Sequence, residues 1–448
     1  MKILVGTLFT LLTLQNFAQV KISGRIVLTG GEGLPGVNVF LADTYDGTST
    51  DAEGYFEFET KEQGPQLLAA RFVGYKEFTQ AIEIQKTNLV FTIRLIEAIN
   101  ELQAVTISAG SFTASDASRR TVLRALDIAT TAGATADIAG ALNTLPGTQK
   151  VGESGRLFVR GGDGNEARTF IDGLVVLDAY KPSAPNTPSR GRFLPFMFKG
   201  TSFSTGGYSA EYGQALSSAL VLDSKDKGEL TRTDFGILSV GGDVGHTQVW
   251  DRGSIGGKVQ YTNLQPYVGL INQEVDWENA PKSLEVNTAF RQEVGQNGLF
   301  KFYGNFNHAN FSLYQHSIDD YDKRAQYDLT NKYQYLNGFY KANLNPNWSA
   351  QGGISFTCIE DKALLDTGGI HEIQKGLHVK AVIEGSLSDG IELKSGLEVI
   401  DRTYDQTFTP DSGQNLYSFH EVISAAFVEA DLYASNRFIV RGGGRFEH

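Results

Sequence analysis

Residues 376–387 read GLHVKAVIEGSL, and their alternation decides the kind of fold this chain builds. Leu377, Val379, Ala381, Ile383 and Leu387 share one face of an extended strand, while His378, Lys380, Glu384 and Ser386 share the other, because successive strand side chains point to opposite sides. The next stretch, GIELKSGLEVIDR (390–402), sets Ile391, Leu393, Leu397 and Val399 against Glu392, Lys394, Glu398 and Arg402. Further out, LFKFYGNFNH (299–308) groups Phe300, Phe302 and Phe306, and RFIVRGGGRFEH (437–448) groups Phe438, Val440 and Phe446. The pattern predicts antiparallel strands of about 9–14 residues throughout 228–448, longer than a sandwich uses. It suits a transmembrane β-barrel, apolar toward lipid and polar toward the lumen. Short turns at 296–298, 345–347, 388–390 and 435–436 should alternate with polar connections of roughly ten residues or more. A soluble all-β repeat protein is the competing reading, since each strand's signal is weak alone.

The chain has 448 residues and a formal net charge of -12, which argues against a nucleic-acid binder needing a basic face. Its one cysteine, Cys358, excludes an internal disulfide framework and a cysteine-based zinc cluster. The seven histidines form no His-x-x-Glu or His-Glu-x-x-His pair, and neither a Gly-x-Ser-x-Gly elbow nor a phosphate loop occurs. GGDGNE (161–166) reads as a turn, not a dinucleotide fingerprint, because no βαβ unit surrounds it. We therefore expect no enzyme, no catalytic residue, no metal and no cofactor. At the N-terminus Lys2, the apolar run Ile3–Leu14 and the small Ala18 predict a secretory signal peptide over 1–19.

Residues 20–97 carry short strands between Gly, Asp and Pro turns, as in a small β-sandwich. SGRIV (23–27), LPGVNVFL (34–41), TSTDAEGYFEF (48–58) and FVGYKEF (72–78) resemble the carboxypeptidase regulatory-like domain in order and spacing. The segment 98–110 is extended and β-prone. Residues 111–227 predict a small α+β domain. RRTVLRALDIAT (119–130) has Val122, Leu123 and Leu126 at helical spacing, and DIAGALNTLPG (137–147) has Ile138, Leu142 and Leu145 before the Pro146-Gly147 stop.

A signal peptide, an α+β domain and barrel strands follow the order of a TonB-dependent outer-membrane transporter. DIAGALNTLPG, GRLFVRGG (155–162), TFIDG (169–173) and GGYSAEYGQALSSAL (206–220) resemble its plug domain, in the family's order. The resemblance implies a mainly β protein: a β-sandwich, a plug and part of a 22-stranded barrel over 228–448. It places a TonB box within ELQAVTIS (101–108), at Leu102, Gln103, Ala104, Val105, Thr106 and Ile107, to pair as a strand with the TonB energy-coupling protein. Ala104 stands where the family more often has valine, which leaves the register open by a residue or two.

Within RLFVRGGDGNEARTFIDG (156–173), Arg160 and Asp172 are expected to be structural, paired or hydrogen-bonded near the wall. Gly161, Gly162 and Gly173 are expected at tight turns. The loop from Tyr180 to Phe198 offers Tyr180, Arg190, Arg192 and Phe193 as ligand contacts, or equally as a loop packed on the barrel wall.

About eleven strands fit into 228–448, half the family's number, and an odd count brings parallel edges together. The chain also stops at RGGGRFEH without a terminal aromatic residue, so it reads as C-terminally truncated and unable to close its wall alone. The expected function is energy-coupled uptake of a scarce extracellular ligand: an iron chelate, a vitamin or an oligosaccharide. A non-transport surface or adhesin-type barrel is the alternative. The expected surroundings are outer-membrane lipid, with the N-terminal domain periplasmic. A surface lipoprotein is left open as a further partner.

Overall fold

The computed structural model describes residues 20–448 apart from 28–32, 43, 45, 73–77, 86, 96–119, 153, 183–188, 229, 272–274, 317–323, 346, 366–367, 389, 411–412 and 436–437. Residues 1–19, expected as a signal peptide, and 102–107, expected as a TonB box, lie outside the described residues. The chain divides into two compact units, 1–109 and 110–448.

In the first unit, β1 (Val20–Val27), β2 (Asn38–Leu41), β3 (Gly47–Ser49), β4 (Tyr55–Thr60), β5 (Gly64–Arg71), β6 (Phe78–Ile84) and β7 (Leu89–Arg94) form two sheets, ordered β4-β1-β7 and β3-β2-β5-β6. Ile22, Ile26, Val39, Leu41, Leu68, Ile84 and Ile93 fill one core. The expected turn before β4 is present: Asp51 Oδ1 accepts from the Tyr55 amide at 2.7 Å, and Phe56 and Phe58 then face inward.

The second unit begins with β8 (Arg120–Leu123), α1 (Ala125–Thr130), α2 (Ile138–Leu142), β9 (Thr148–Gln149), β10 (Phe158–Val159), β11 (Ala167–Ile171), β12 (Leu174–Val176), β13 (Phe198–Ser204) and β14 (Ser218–Ser224). Here one expectation fails. Val122 and Leu123 belong to a strand, not a helix, because β8 pairs with β13 from Thr201↔Leu123 to Ser204↔Arg120. Ladder bonds to a distant edge override the local spacing. The second helix starts where its pattern put it, with Asp137 as N-cap accepting from the Gly140 amide at 2.7 Å, but it ends at Leu142, before Leu145 and the Pro146-Gly147 stop.

Then come β15 (Arg232–Leu238), β16 (Gly241–Trp250), β17 (Gly253–Asn263), α3 (Gln265–Val268), β18 (Asp276–Val294), β19 (Gly298–His316), β20 (Arg324–Asn345), β21 (Trp348–Leu365), β22 (Gly368–Ser388), β23 (Ile391–Pro410), β24 (Asn415–Ser435) and β25 (Phe438–Glu447). These pair in sequence order, each antiparallel to the next, as one 11-stranded sheet with β15 and β25 at its edges.

This sheet is inside-out by the standards of a soluble protein. On β22, Leu377, Val379 and Ile383 are exposed, while His378 and Lys380 are buried at 1% and 4% exposure. On β23, Leu397 and Val399 are exposed and Glu398 is buried. Neighbouring strands keep the same sides: Ile354, Val379 and Val399 are in register outside, and Gly353, Lys380 and Glu398 are in register inside. From Leu377 to Leu387 the outward residues of β22 span about 33 Å along the strand, or about 25 Å along the bilayer normal at a usual tilt of about 40°. That is the height of an outer-membrane barrel's apolar band. Trp250 and Phe290 (6.1 Å between centroids) and Phe290 and Phe300 (6.2 Å) gather at the short-turn rim, as an aromatic girdle would.

The strands correct the expected lengths. β20 has 22 residues, β22 has 21 and β23 has 20. On the side away from the short turns, 264–275 is the connection that reaches the expected length, whereas 239–240, 366–367 and 411–414 are brief. Polar segments that read as loops instead continue the hairpins beyond the apolar band. A ladder satisfies backbone groups in water as well as in lipid, so pairing has no reason to stop at the band's edge.

Candidate functional site

The central domain lies against the polar face of the sheet, and the seam between them is the site. It starts from one hairpin. Asp172 and Gly173 both have positive φ (49° and 78°), and Ile171 pairs with Leu174 across them. Two left-handed residues make the turn whose twist suits a two-residue hairpin, and Asp-Gly is a favoured pair for it. Arg160 and Gly161 (51° and 83°) form a similar turn, closed by the Gly162 amide donating to the Val159 carbonyl at 2.9 Å. A Cβ on Gly162 would stand 2.5 Å from Glu166 Oε2. Replacing Gly173 with Val should destabilise the central domain by about 1–2 kcal/mol, the cost of a left-handed backbone for a residue with a Cβ. Limited proteolysis should show it as faster cleavage at or near 167–176.

The hairpin places β12 at the edge of the five-stranded sheet, ordered β12-β11-β14-β13-β8. Its free backbone groups meet side chains of the wall, two residues apart. Asn337 donates to the Ile171 carbonyl at 2.8 Å, Lys380 to that of Gly173 at 3.2 Å, and Ser355 to that of Val175 at 3.2 Å. The Val175 amide donates to His378 Nδ1 at 2.9 Å, and the Tyr333 hydroxyl donates to the Leu177 carbonyl at 3.4 Å. An edge strand is thus satisfied with no strand added to it. Side chains hold it, so it can part from the wall without unzipping a ladder.

Two carboxylates of the central domain pair with wall cations. Glu211, 3% exposed, lies 3.1 Å from Lys380 and 3.0 Å from Lys394. Burial alone would push its carboxyl up, but the two lysines outweigh it and hold the group at about 2. Beside it the Ala210 amide donates to Glu429 at 3.0 Å, and Arg445 reaches from β25 to Glu398. Asp226 lies 2.7 Å from Lys301 and 3.0 Å from Lys199; against the effect of burial, these lysines hold it below the usual carboxylate range.

The residues singled out from sequence divide. Asp172 is structural: its carboxylate accepts from the Ser224 amide at 3.0 Å and hydroxyl at 2.5 Å. Arg160 corrects the expectation of a charge held near the wall, because its side chain is exposed and its backbone makes the turn. Tyr180, Arg192 and Phe193 are enclosed. Arg192 donates to Asn331 at 3.0 Å, pairs with Asp178 at 3.1 Å and lies 4.1 Å over the Tyr333 ring. Phe193 packs against Phe198, Tyr303, Tyr333 and Tyr335, and Tyr180 accepts from the Leu157 amide at 3.3 Å. Three of the four proposed ligand contacts therefore serve the packed-loop reading, and Arg190 alone of the four is exposed. Lys181, at 3.0 Å from Glu285, ties the same loop to the wall.

Glu211 and Asp226 were not singled out from sequence. The wall partners of Glu211, Lys380 and Lys394, were legible as polar-face residues, but the pairing spans 169 and 183 positions and no local signal carries it.

Comparison with known proteins agrees with this architecture. Residues 22–107 match the carboxypeptidase regulatory-like domain, and residues 113–219 match the TonB-dependent receptor plug domain. No curated protein matches the chain by sequence. Among solved structures, the ferric enterobactin receptor of Pseudomonas aeruginosa is similar at 13% identity and a TM-score of 0.55, over 73% of this chain and 57% of that one. The ferric yersiniabactin uptake receptor of Yersinia pestis is similar at 12% identity and 0.54, over 73% and 56%. A copper transporter follows at 13% and 0.52, over 70% and 52%. This chain therefore spans little more than half the length of these structures. Residues 113–219 thus carry the match to the TonB-dependent receptor plug domain, and this domain is seated against an inside-out antiparallel sheet, in the fold of those receptor structures. The match to the carboxypeptidase regulatory-like domain precedes the match to the plug domain along the chain.

Proposed function

We propose that the protein is the outer-membrane receptor of an energy-coupled importer, taking up an iron chelate, a vitamin or an oligosaccharide. The observation that carries this reading is the seam: a plug held to the wall by side chains and ion pairs, with no strand ladder shared between them among the described residues. Such a plug can be shifted by force and return. Residues 102–107 would add as a strand to the periplasmic TonB protein, since main-chain bonds give affinity while side chains need only tolerate an extended backbone. A pull there would be passed to β8 and the five-stranded sheet, and would load the bonds from Asn337, Lys380 and Ser355. Of the four loop residues singled out from sequence, Arg190 is the one exposed to meet a ligand. No covalent chemistry is required.

Val105→Pro tests the proposal, because proline removes a ladder donor at the coupling segment. Uptake by cells should fall to about a tenth or less while ligand binding at the surface is unchanged. Unchanged uptake would leave a plugged surface barrel that does not transport by this route.

A further inference from the structure

Just beyond the apolar band, on the side away from the short turns, the outward face of β18 to β22 carries Lys282, His308, Lys332, Lys362, His371 and Lys375. Their register makes this one patch. His308 pairs with Lys332, Lys332 with Glu360, Lys362 with His371, and Lys375 with Cys358, while Lys282 is opposite Asn310. Five strands and three rows of outward side chains give an area of about 19 Å by 13 Å. On β18 to β22 Glu360 is the one acid among the outward residues of these rows, with Asp405 continuing its row on β23, and two lysines and a histidine converge on it. Lys362 lies 2.8 Å away, with Lys332 and His371 each at 3.1 Å.

Toward the short turns the wall differs, because the apolar band runs up to them: from Leu336 to Leu344 on β20, Trp348 to Phe356 on β21 and Leu377 to Leu387 on β22, no outward residue is charged. Long cationic side chains that merely reach for water at a membrane interface would serve either rim. Here they gather at one, in a chain whose net charge is -12. A basic patch at the level of lipid headgroups is complementary to phosphate groups.

We propose that this patch binds a phosphomonoester-bearing lipid headgroup of the leaflet at that rim, the outer one if the short turns are periplasmic. Glu360 holds Lys332, Lys362 and His371 together, and Lys375 borders the lipid tails through its place beside Leu377. The inference rests on the membrane-spanning reading of the sheet.

The test uses the full chain reconstituted in phosphatidylcholine vesicles containing phosphatidic acid, then extracted gently and assayed for co-isolated lipid. The wild type should retain about tenfold more phosphatidic acid than Lys332→Gln/Lys362→Gln/Lys375→Gln. The corresponding triple Lys→Arg variant should retain it, and Glu360→Gln should retain more. Equal retention by the wild type and the glutamine variant, both inserted and heat-modifiable on gels, would overturn the proposal and leave the transport reading intact. Displacement by an equal concentration of inorganic phosphate would overturn a lipid as the ligand. Failure of the wild type to retain phosphatidic acid in this assay would overturn the proposal.

Discussion

Glu211→Ala is expected to loosen the plug from the wall by about 3 kcal/mol, because removing one partner of a buried ion pair strands the others. Lys380 and Lys394 would lose their carboxylate at 3.1 Å and 3.0 Å. The cost is set at the lower end because each keeps a second partner, Glu398 at 3.7 Å and Glu384 at 3.3 Å. Hydrogen exchange is the direct measurement. Amides of β12 and of 208–213 should exchange about a hundredfold faster if they open through plug release. Glu211→Gln should show a smaller change, since its amide oxygen still accepts from one lysine. Exchange unaltered in the alanine variant would mean that the seam is held elsewhere.

The same residue sets an acid response. The Glu211 carboxyl is held at about 2, against an ordinary value of 4.5. A carboxyl lowered in the folded state stabilises fully above its unfolded value and loses that contribution as the proton returns. The anchor should therefore weaken as pH falls from about 4.5 toward 2, with exchange at β12 rising over that window. Glu211→Gln, with no carboxyl to protonate, should lack this component.

Leu397→Arg should block assembly in a membrane. Leu397 is 66% exposed, at the middle rows of the apolar band, with Ala381 and Ala426 beside it on the neighbouring strands. An arginine at the bilayer midplane costs about 2–4 kcal/mol, falling to about 0–1 near the interface. Leu416, 74% exposed and beyond the band on β24, is the control. Folding into vesicles, followed by heat-modifiable migration, should fail or slow for Leu397→Arg and proceed for Leu416→Arg. In water the two exposed positions would tolerate arginine alike, so equal behaviour would remove the lipid-facing assignment.

Sequence alone determined what depends on period and local chemistry. The two-residue alternation in 376–402 separated the outward leucines and valines from His378, Lys380 and Glu398, because a strand has no other way to distribute its side chains. The Asp172-Gly173 pair predicted a tight turn, and the spacing of Ile138 and Leu142 a helix, for equally local reasons. Only the tertiary structure decided the rest. Local spacing read 119–130 as one helix, but its first residues pair with β13, some 80 positions away. Polar segments read as loops proved to be strand, since ladder pairing is indifferent to the solvent beyond the band. The buried roles of Tyr180, Arg192 and Phe193 depend on Asn331, Tyr333 and Asp178, and the anchor at Glu211 depends on Lys380 and Lys394. Such contacts follow from where a whole sheet lies against a whole domain. No window of sequence contains both sides of that seam.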